Sequence, residues 1–315
     1  MLPYGILRSS LHEAGLSLAG FIGEASLRAA CGSLPPSLSA RLGLDAARGA
    51  VAAALAYGEG EGLGPAPAWP PRGGSLARIA RFARANWYAE LAARLKDAAS
   101  RTRARLADAG LEAPAAREWR FFVNSRLPEK RLALEAGIGR LGRHTLLMAE
   151  GPGSAVVLGI LLLPLPLADP PPTPTAVGPA LDPSCESCGA GGGAGGGACV
   201  EACPTGALRG DGTLDRELCL QHWSSVPGPL PAPVEAAWGD RLYGCDLCQE
   251  ACPRFRPDPT VATSRGVLGP GLSASWLAGA SDSEIRASLR GSALGMGWIP
   301  PEALRRNASL ALRGI

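Results

Sequence analysis

The order of apolar and polar residues divides the chain into extended and helical stretches. Ala50–Tyr57 is a short unbroken apolar run, and Val156–Leu163 is another; both read as buried strands. Glu118–Val123 alternates only in part, but its aromatics suit a strand, and Thr145–Met148 reads as a further one. Leu76, Ile79, Ala80, Ala83, Trp87, Leu91 and Leu95 recur at helical spacing behind Ser75, a good capping residue. That pattern predicts a helix from about 76, continuing through 97–110 to Gly110. Pro128–Ala136 reads as a short helix with proline in its first turn. Residues 1–45 mix short helical patterns with Gly and Pro breaks, and Ala274–Ala280, Asp282–Leu289 and Pro301–Leu312 look helical.

Two stretches interrupt this pattern. Residues 58–74 read as a loop or lid, and the Pro-rich segment 166–181 as a semi-rigid connector. The expected organisation is an α/β (α+β) domain over 1–165, the connector, a cysteine-rich region over 182–258 and a helical tail over 259–315.

Composition narrows the possibilities. The 315 residues suffice for two domains of ~150 residues. A net charge of +3 excludes a histone-like or acidic-tail protein. Five Phe, four Tyr and seven Trp offer few platforms for nonspecific single-strand binding. Arg78, Arg81 and Arg84 lie off much of the apolar stripe. They are either a solvated face or, with Arg140 and Arg143, a patch for phosphates. Met1–Ile22 lacks the basic start and clean apolar run of a secretory signal. Ala155–Ala168 is too short to span a bilayer and contains Pro164 and Pro166. A soluble cytoplasmic protein is expected.

The candidate chemistry is concentrated in the cysteines. Of nine, eight fall between 185 and 252. The first run is Cys185-x2-Cys188-x10-Cys199-x3-Cys203-Pro204, and the second is Cys245-x2-Cys248-x3-Cys252-Pro253, with Cys219 between them. The bacterial iron–sulfur run is C-x2-C-x2-C-x3-C-P, whose fourth cysteine serves the other cluster. The first run fits once Gly191–Ala198, a GGGAGGGA tract, is treated as an insertion. A flexible loop adds little closure entropy as it lengthens. Crossed ligation then places Cys185, Cys188, Cys199 and Cys252 on one 4Fe–4S cluster. Cys203, Cys219, Cys245 and Cys248 hold a second, in a ferredoxin-like arrangement. Zinc on sets of four thiolates is the rival reading, with a disulfide framework far behind. Cys31 stands apart and reads as a bystander thiol. Clusters carry electrons but choose no substrate, and 184 residues precede the first clustered cysteine, so the first domain is expected to hold a substrate or second cofactor.

Several of these segments resemble the epoxyqueuosine reductase family. The likeness covers roughly residues 45–257 and is carried by Asp240–Pro253 (DRLYGCDLCQEACP), Asp215–Cys219 (DRELC), Cys203–Leu208 (CPTGAL), Ala136–Leu147 (AGIGRLGRHTLL) and, more loosely, Arg78–Ala83 (RIARFA). The resemblance implies a cytoplasmic enzyme with base-off cobalamin and two 4Fe–4S clusters, reducing the epoxide of epoxyqueuosine in tRNA. It implies a corrinoid near Gly137, Gly139, Gly142, Arg143 and His144; Arg78, Arg81 and Arg84 are the residue pattern's candidates for tRNA phosphates. A low-potential donor such as a flavodoxin or ferredoxin, and a monomeric chain, complete the expectation. Two positions depart from the family pattern. Asn124, in Val123-Asn124-Ser125-Arg126-Leu127-Pro128, stands where the family carries its general-acid Asp, leaving Glu129 as a possible substitute. Asn86-Trp87-Tyr88 stands where the family has Asp-Tyr-His. A corrinoid iron–sulfur reductase for a different small substrate and a non-enzymatic electron carrier remain the alternatives.

Overall fold

The computed structural model describes residues 1–58, 74–168, 181–188 and 196–314. Most of the expected loop at 58–74, most of the 166–181 connector and Gly191–Gly195 of the glycine insertion lie outside the described residues. The strands are β1 (Leu2–Pro3), β2 (Leu18–Gly23), β3 (Gly49–Ala56), β4 (Leu76–Ile79), β5 (Arg120–Val123), β6 (Gly139–Leu141), β7 (Leu147–Ala149), β8 (Val156–Leu162), β9 (Leu167–Ala168), β10 (Arg241–Tyr243) and β11 (Gly271–Ser273). The helices are α1 (Tyr4–Glu13), α2 (Glu24–Cys31), α3 (Pro36–Leu42), α4 (Trp87–Asp108), α5 (Glu129–Glu135), α6 (Ala198–Glu201), α7 (Leu220–Trp223), α8 (Ala232–Ala236), α9 (Leu247–Glu250), α10 (Ala274–Gly279), α11 (Asp282–Ser288) and α12 (Pro301–Gly314).

A four-stranded sheet of order β2-β3-β8-β5 forms the centre of the first layer system, and every neighbouring pair is antiparallel. Helices cover both faces, which explains why β3 is apolar throughout rather than alternating. Val51, Ala53 and Leu55 join the core of Leu7, Leu11, Leu91 and Leu95, whereas Ala50 and Ala52 join that of Leu27, Leu132 and Ala133. The alanines leave room for helices to approach on either side. Leu91 and Leu95 are fully buried, each worth about 1.5–3 kcal/mol relative to exposure. Cys31 belongs to the second of these cores, and burial pushes its thiol up.

The helix expected from residue 76 begins eleven residues later, at Trp87. Leu76–Ile79 is instead the middle strand of a second sheet, parallel to β10 and antiparallel to β11, and a 3-10 turn at Arg81–Ala83 follows. Ala77 and Ile79 are fully buried two residues apart, which is strand spacing, and Ile79, Ala80 and Ala83 fit a helix over too few turns to decide. Asn86 caps α4: its side-chain oxygen accepts from the Ala89 N–H at 3.0 Å, and its amide donates to the Gly291 carbonyl at 2.7 Å. The tail does more than cover a surface. β11 completes the second sheet, and Leu272, Leu277, Ile285 and Leu304 share one core with Ile79 and Leu242.

Candidate redox site

Short helices and turns present the eight clustered thiols. Asp182 caps the 3-10 turn that ends at Cys185, accepting from the Ser184 N–H at 2.9 Å. Cys199 lies in α6 and Cys248 in α9, and these two helices pack together. Cys219 precedes α7, and Gly244, at φ 84°, turns the chain into Cys245, where a Cβ would stand 2.4 Å from that of Ala80. The Cys245 N–H donates to the Gln221 side-chain oxygen at 3.3 Å.

The thiols fall into two sets. Cys185, Cys188, Cys199 and Cys252 line one small cavity with Arg143, His144 and Met148. Cys203, Cys219, Cys245 and Cys248 line part of a large one, about 670 Å³ in volume. Electrostatics largely follows this division, although Cys199 of the first set also raises Cys248 of the second. The Cys199 thiol is pushed up to about 11 by burial, then by Cys252, Cys185 and Cys188. Burial drives Cys248 far above the ordinary thiol range, with Cys245 and Cys219 adding to it. Cys203 is held low against its own burial by hydrogen bonds from Thr205 and nearby backbone. All nine cysteines are unpaired. Among the described residues, no three His, Cys, Asp or Glu side chains group as ligands of a metal ion.

Asn124 and Glu129 meet on the wall of the large cavity. Asn124 adopts φ 50°, a left-handed conformation that Asn tolerates better than most residues. Its backbone N–H donates to one Glu129 carboxylate oxygen at 3.2 Å, and the Ser125 N–H donates to the other at 2.8 Å. Burial still dominates and raises Glu129 to about 6. The same wall carries residues that motif reading passed over: Tyr57, Tyr88, Lys130, Gln221 and Gln249. The Tyr57 hydroxyl donates to Gln249 at 3.2 Å, and burial lifts both Tyr57 and Tyr88 above the usual phenol range. The available signal was a lone Tyr ending the apolar run Ala50–Tyr57.

The glycine segment lies to one side. Gly139 sits in β6, paired with β7, and Gly142 follows this strand. A Cβ on Gly142 would lie 2.4 Å from the His144 ring, so the imidazole occupies space that only glycine leaves open. Of the five residues expected near a corrinoid, His144 alone lines the large cavity, while Arg143 and His144 both line the small one. Burial pulls His144 down to about 4, with the Lys130 charge adding to the effect.

The three arginines proposed for phosphate have internal partners. Arg78 pairs with Asp240 at 3.1 Å. The Arg81 N–H donates to Asp246 at 2.6 Å and its guanidinium lies 3.5 Å from Glu250, while Arg84 donates to the Ile79 carbonyl at 3.2 Å. Among the described residues, no helix is long and apolar enough to cross a membrane.

Comparison with known proteins adds an independent line. Residues 184–254 match a family model described as a 4Fe-4S double cluster binding domain. An epoxyqueuosine reductase of Shewanella oneidensis is 34% identical over 201 residues, which cover 63% of this chain and 46% of that protein. Another, from Xanthomonas campestris pv. campestris, is 31% identical over 252 residues, or 72% of this chain and 63% of its own. Each match thus spans less than two thirds of the relative's length. The structure of epoxyqueuosine reductase from Streptococcus thermophilus superposes with a TM-score of 0.68 at 21% identity, covering 98% of this chain and 80% of that one. A crystal structure of epoxyqueuosine reductase with an epoxyqueuosine-modified tRNA-Tyr stem loop gives 0.62 at 23% identity, with coverages of 98% and 80%. The structural likeness establishes the α+β fold.

Proposed function

Because the chain belongs to the epoxyqueuosine reductase family, we propose that it is an iron–sulfur oxidoreductase that reduces epoxyqueuosine in tRNA to queuosine. The observation that carries this reading is the large cavity itself. Its lining includes four thiols together with Asn124 and Glu129, so an electron source and a proton source share one space.

The donor sets fit two cubanes. Each comprises four cysteines, the thiolate count that such a cluster takes. Cys185, Cys188, Cys199 and Cys252 would hold one, and Cys203, Cys219, Cys245 and Cys248 the other, supplying single electrons at low potential. The cavity's volume of about 670 Å³ is in the range for drug-sized ligands, and its lining includes Tyr57, Tyr88, Gln221 and Gln249. A corrinoid is proposed from the family resemblance alone; being larger than that range, it would extend beyond the cavity, and when bound it would supply nucleophilic two-electron chemistry.

Opening and deoxygenating an epoxide to an alkene takes two electrons and two protons and releases water. Asn124 has no acidic proton to give. Glu129, raised to about 6 by burial, is the carboxyl at that turn and holds a proton for the departing oxygen. The Asn124 amide can hydrogen-bond the same oxygen without donating charge. A tRNA partner is proposed from the stem-loop complex of the structural relative, and a flavodoxin or ferredoxin as donor from the low potential the chemistry requires.

The test begins with anaerobic purification and analysis for iron, sulfide and cobalt, with about eight irons per chain expected. Turnover is then followed on an epoxyqueuosine-modified tRNA stem loop with a chemical reductant. Protein with full iron and bound corrinoid that leaves the epoxide intact would overturn the substrate assignment. It would favour the second reading, a corrinoid iron–sulfur reductase for another substrate, to which Asn124 at the acid position already points.

A further inference from the structure

Among the described residues, two buried N–H groups of side chains lining the small cavity have no acceptor. One is His144 Nε2 and the other is Arg143 Nε. His144 is only 3% exposed, and its Nδ1 accepts a hydrogen bond from the Leu146 N–H at 3.2 Å. An accepting Nδ1 carries no proton, so the neutral ring carries its proton on Nε2. A buried N–H donor without a partner is costly, about 1–3 kcal/mol, and native structures rarely leave one.

The local backbone holds this ring in place. Thr145, the next residue, adopts φ 67°, and its carbonyl accepts from Lys130 Nζ at 2.6 Å. Gly142 leaves the space that the ring fills. Arg143 is anchored from the other end, where its guanidinium donates to the Gly196 carbonyl, three residues before Cys199. His144 also borders the large cavity, but that cavity is wide enough to hold water, and Nε2 is sealed from solvent. His144 thus lines the cavity where Cys185, Cys188, Cys199 and Cys252 converge, with its Nε2 buried and without an acceptor among the described residues.

We propose that His144, assisted by Arg143, donates an N–H···S hydrogen bond to the iron–sulfur cluster held by Cys185, Cys188, Cys199 and Cys252, and so raises its reduction potential. This rests on the cluster reading above. Hydrogen bonds to sulfur and added positive charge both stabilise the reduced, more negative state of a cluster. The two residues are positioning and tuning groups: Arg143 lines only the small cavity, and His144, which borders both, has its Nδ1 occupied by the Leu146 N–H. The cluster in the small cavity becomes the one tuned to accept electrons from outside, and its partner in the large cavity the one that passes them on.

The experiment uses the full chain with both clusters assembled anaerobically and its three histidines labelled with nitrogen-15. Pulsed electron paramagnetic resonance of the reduced wild type is expected to show one imidazole nitrogen and one exchangeable proton coupled to a single cluster. In His144→Leu both couplings vanish and that cluster's potential falls, while the other cluster's potential stays unchanged. His144→Gln, which keeps an N–H donor, recovers part of the shift. Wild-type protein with about eight irons and no imidazole coupling overturns the inference and leaves the cluster reading standing. Coupling to the other cluster, or an unchanged potential in His144→Leu, overturns it equally. Protein that binds no iron or sulfide overturns both. The wild-type spectrum decides even where a variant fails to assemble its clusters.

Discussion

The backbone N–H of Asn124 donates to the carboxylate of Glu129 at 3.2 Å, so the residue at the expected acid position holds the nearest carboxyl in place. A residue whose side chain cannot deliver a proton thereby orients, through its backbone N–H, one that can.

Glu129→Gln is expected to lower epoxide turnover by on the order of 10² or more, the usual contribution of a general acid. In the wild type, the step that consumes this proton slows as pH rises through about 6, and the variant loses that limb. Single-turnover rates across pH 5–8 on the modified stem loop check both. A variant with the wild-type profile would remove Glu129 from proton transfer.

The same carboxyl also affects stability. Burial raises its folded value from 4.5 to about 6, so the fold favours the protonated form. That contribution is fully present below 4.5 and is lost as pH rises through about 6. The rise corresponds to about 2 kcal/mol. Urea unfolding at pH 4.5 and 7 should show a wild-type loss of that order relative to Glu129→Gln, which has no charge to bury.

Asn124→Asp places a second carboxyl at the turn, and φ 50° is a conformation that Asp also tolerates. With Glu129 already serving as acid, turnover changes by less than about tenfold. A gain on the order of 10² would instead mean that the wild type works without an acid.

Cys252→Ser is expected to remove about half of the iron and to spare the cluster that borders the large cavity. Cys31→Ser, in the apolar core behind β3, leaves iron content unchanged. Iron analysis with electron paramagnetic resonance of the reduced proteins distinguishes crossed from sequential ligation, since in the latter Cys252 would share its cluster with Cys245 and Cys248.

Asn307 is fully buried in α12, where its amide donates to the carbonyls of Ser224 at 2.9 Å and Leu242 at 2.8 Å. Asn307→Ala leaves both carbonyls without that donor and should destabilise the protein by roughly 2–4 kcal/mol. The urea midpoint reports this directly. An effect below about 1 kcal/mol would mean that other donors reach those carbonyls.

Local sequence signals were enough for elements whose environment is uniform. Ala50–Tyr57 and Val156–Leu163 are apolar throughout because helices cover both faces of their sheet, and that condition leaves its mark on every residue. Pro128 marks a helix start through backbone chemistry that acts within one turn. Leu76–Ile79 was ambiguous because four residues hold too little periodicity; its partners lie at 241–243 and 271–273, more than 160 residues away. β2 was missed for a similar reason, since Leu18–Gly23 contains two glycines and gains its strand character from pairing with β3.

By itself the chain's sequence determined the supply of thiols, their spacing and an amide rather than a carboxyl side chain at position 124, all properties of residue identity and short separation. Tertiary structure alone decided that a half-buried Glu129 sits against the Asn124 turn, that Tyr57 and Gln249 meet on the cavity wall, and that a buried His144 lines the small cavity with one set of thiols. Those relationships depend on desolvation and on contacts between distant segments, and neither quantity exists until the chain has folded.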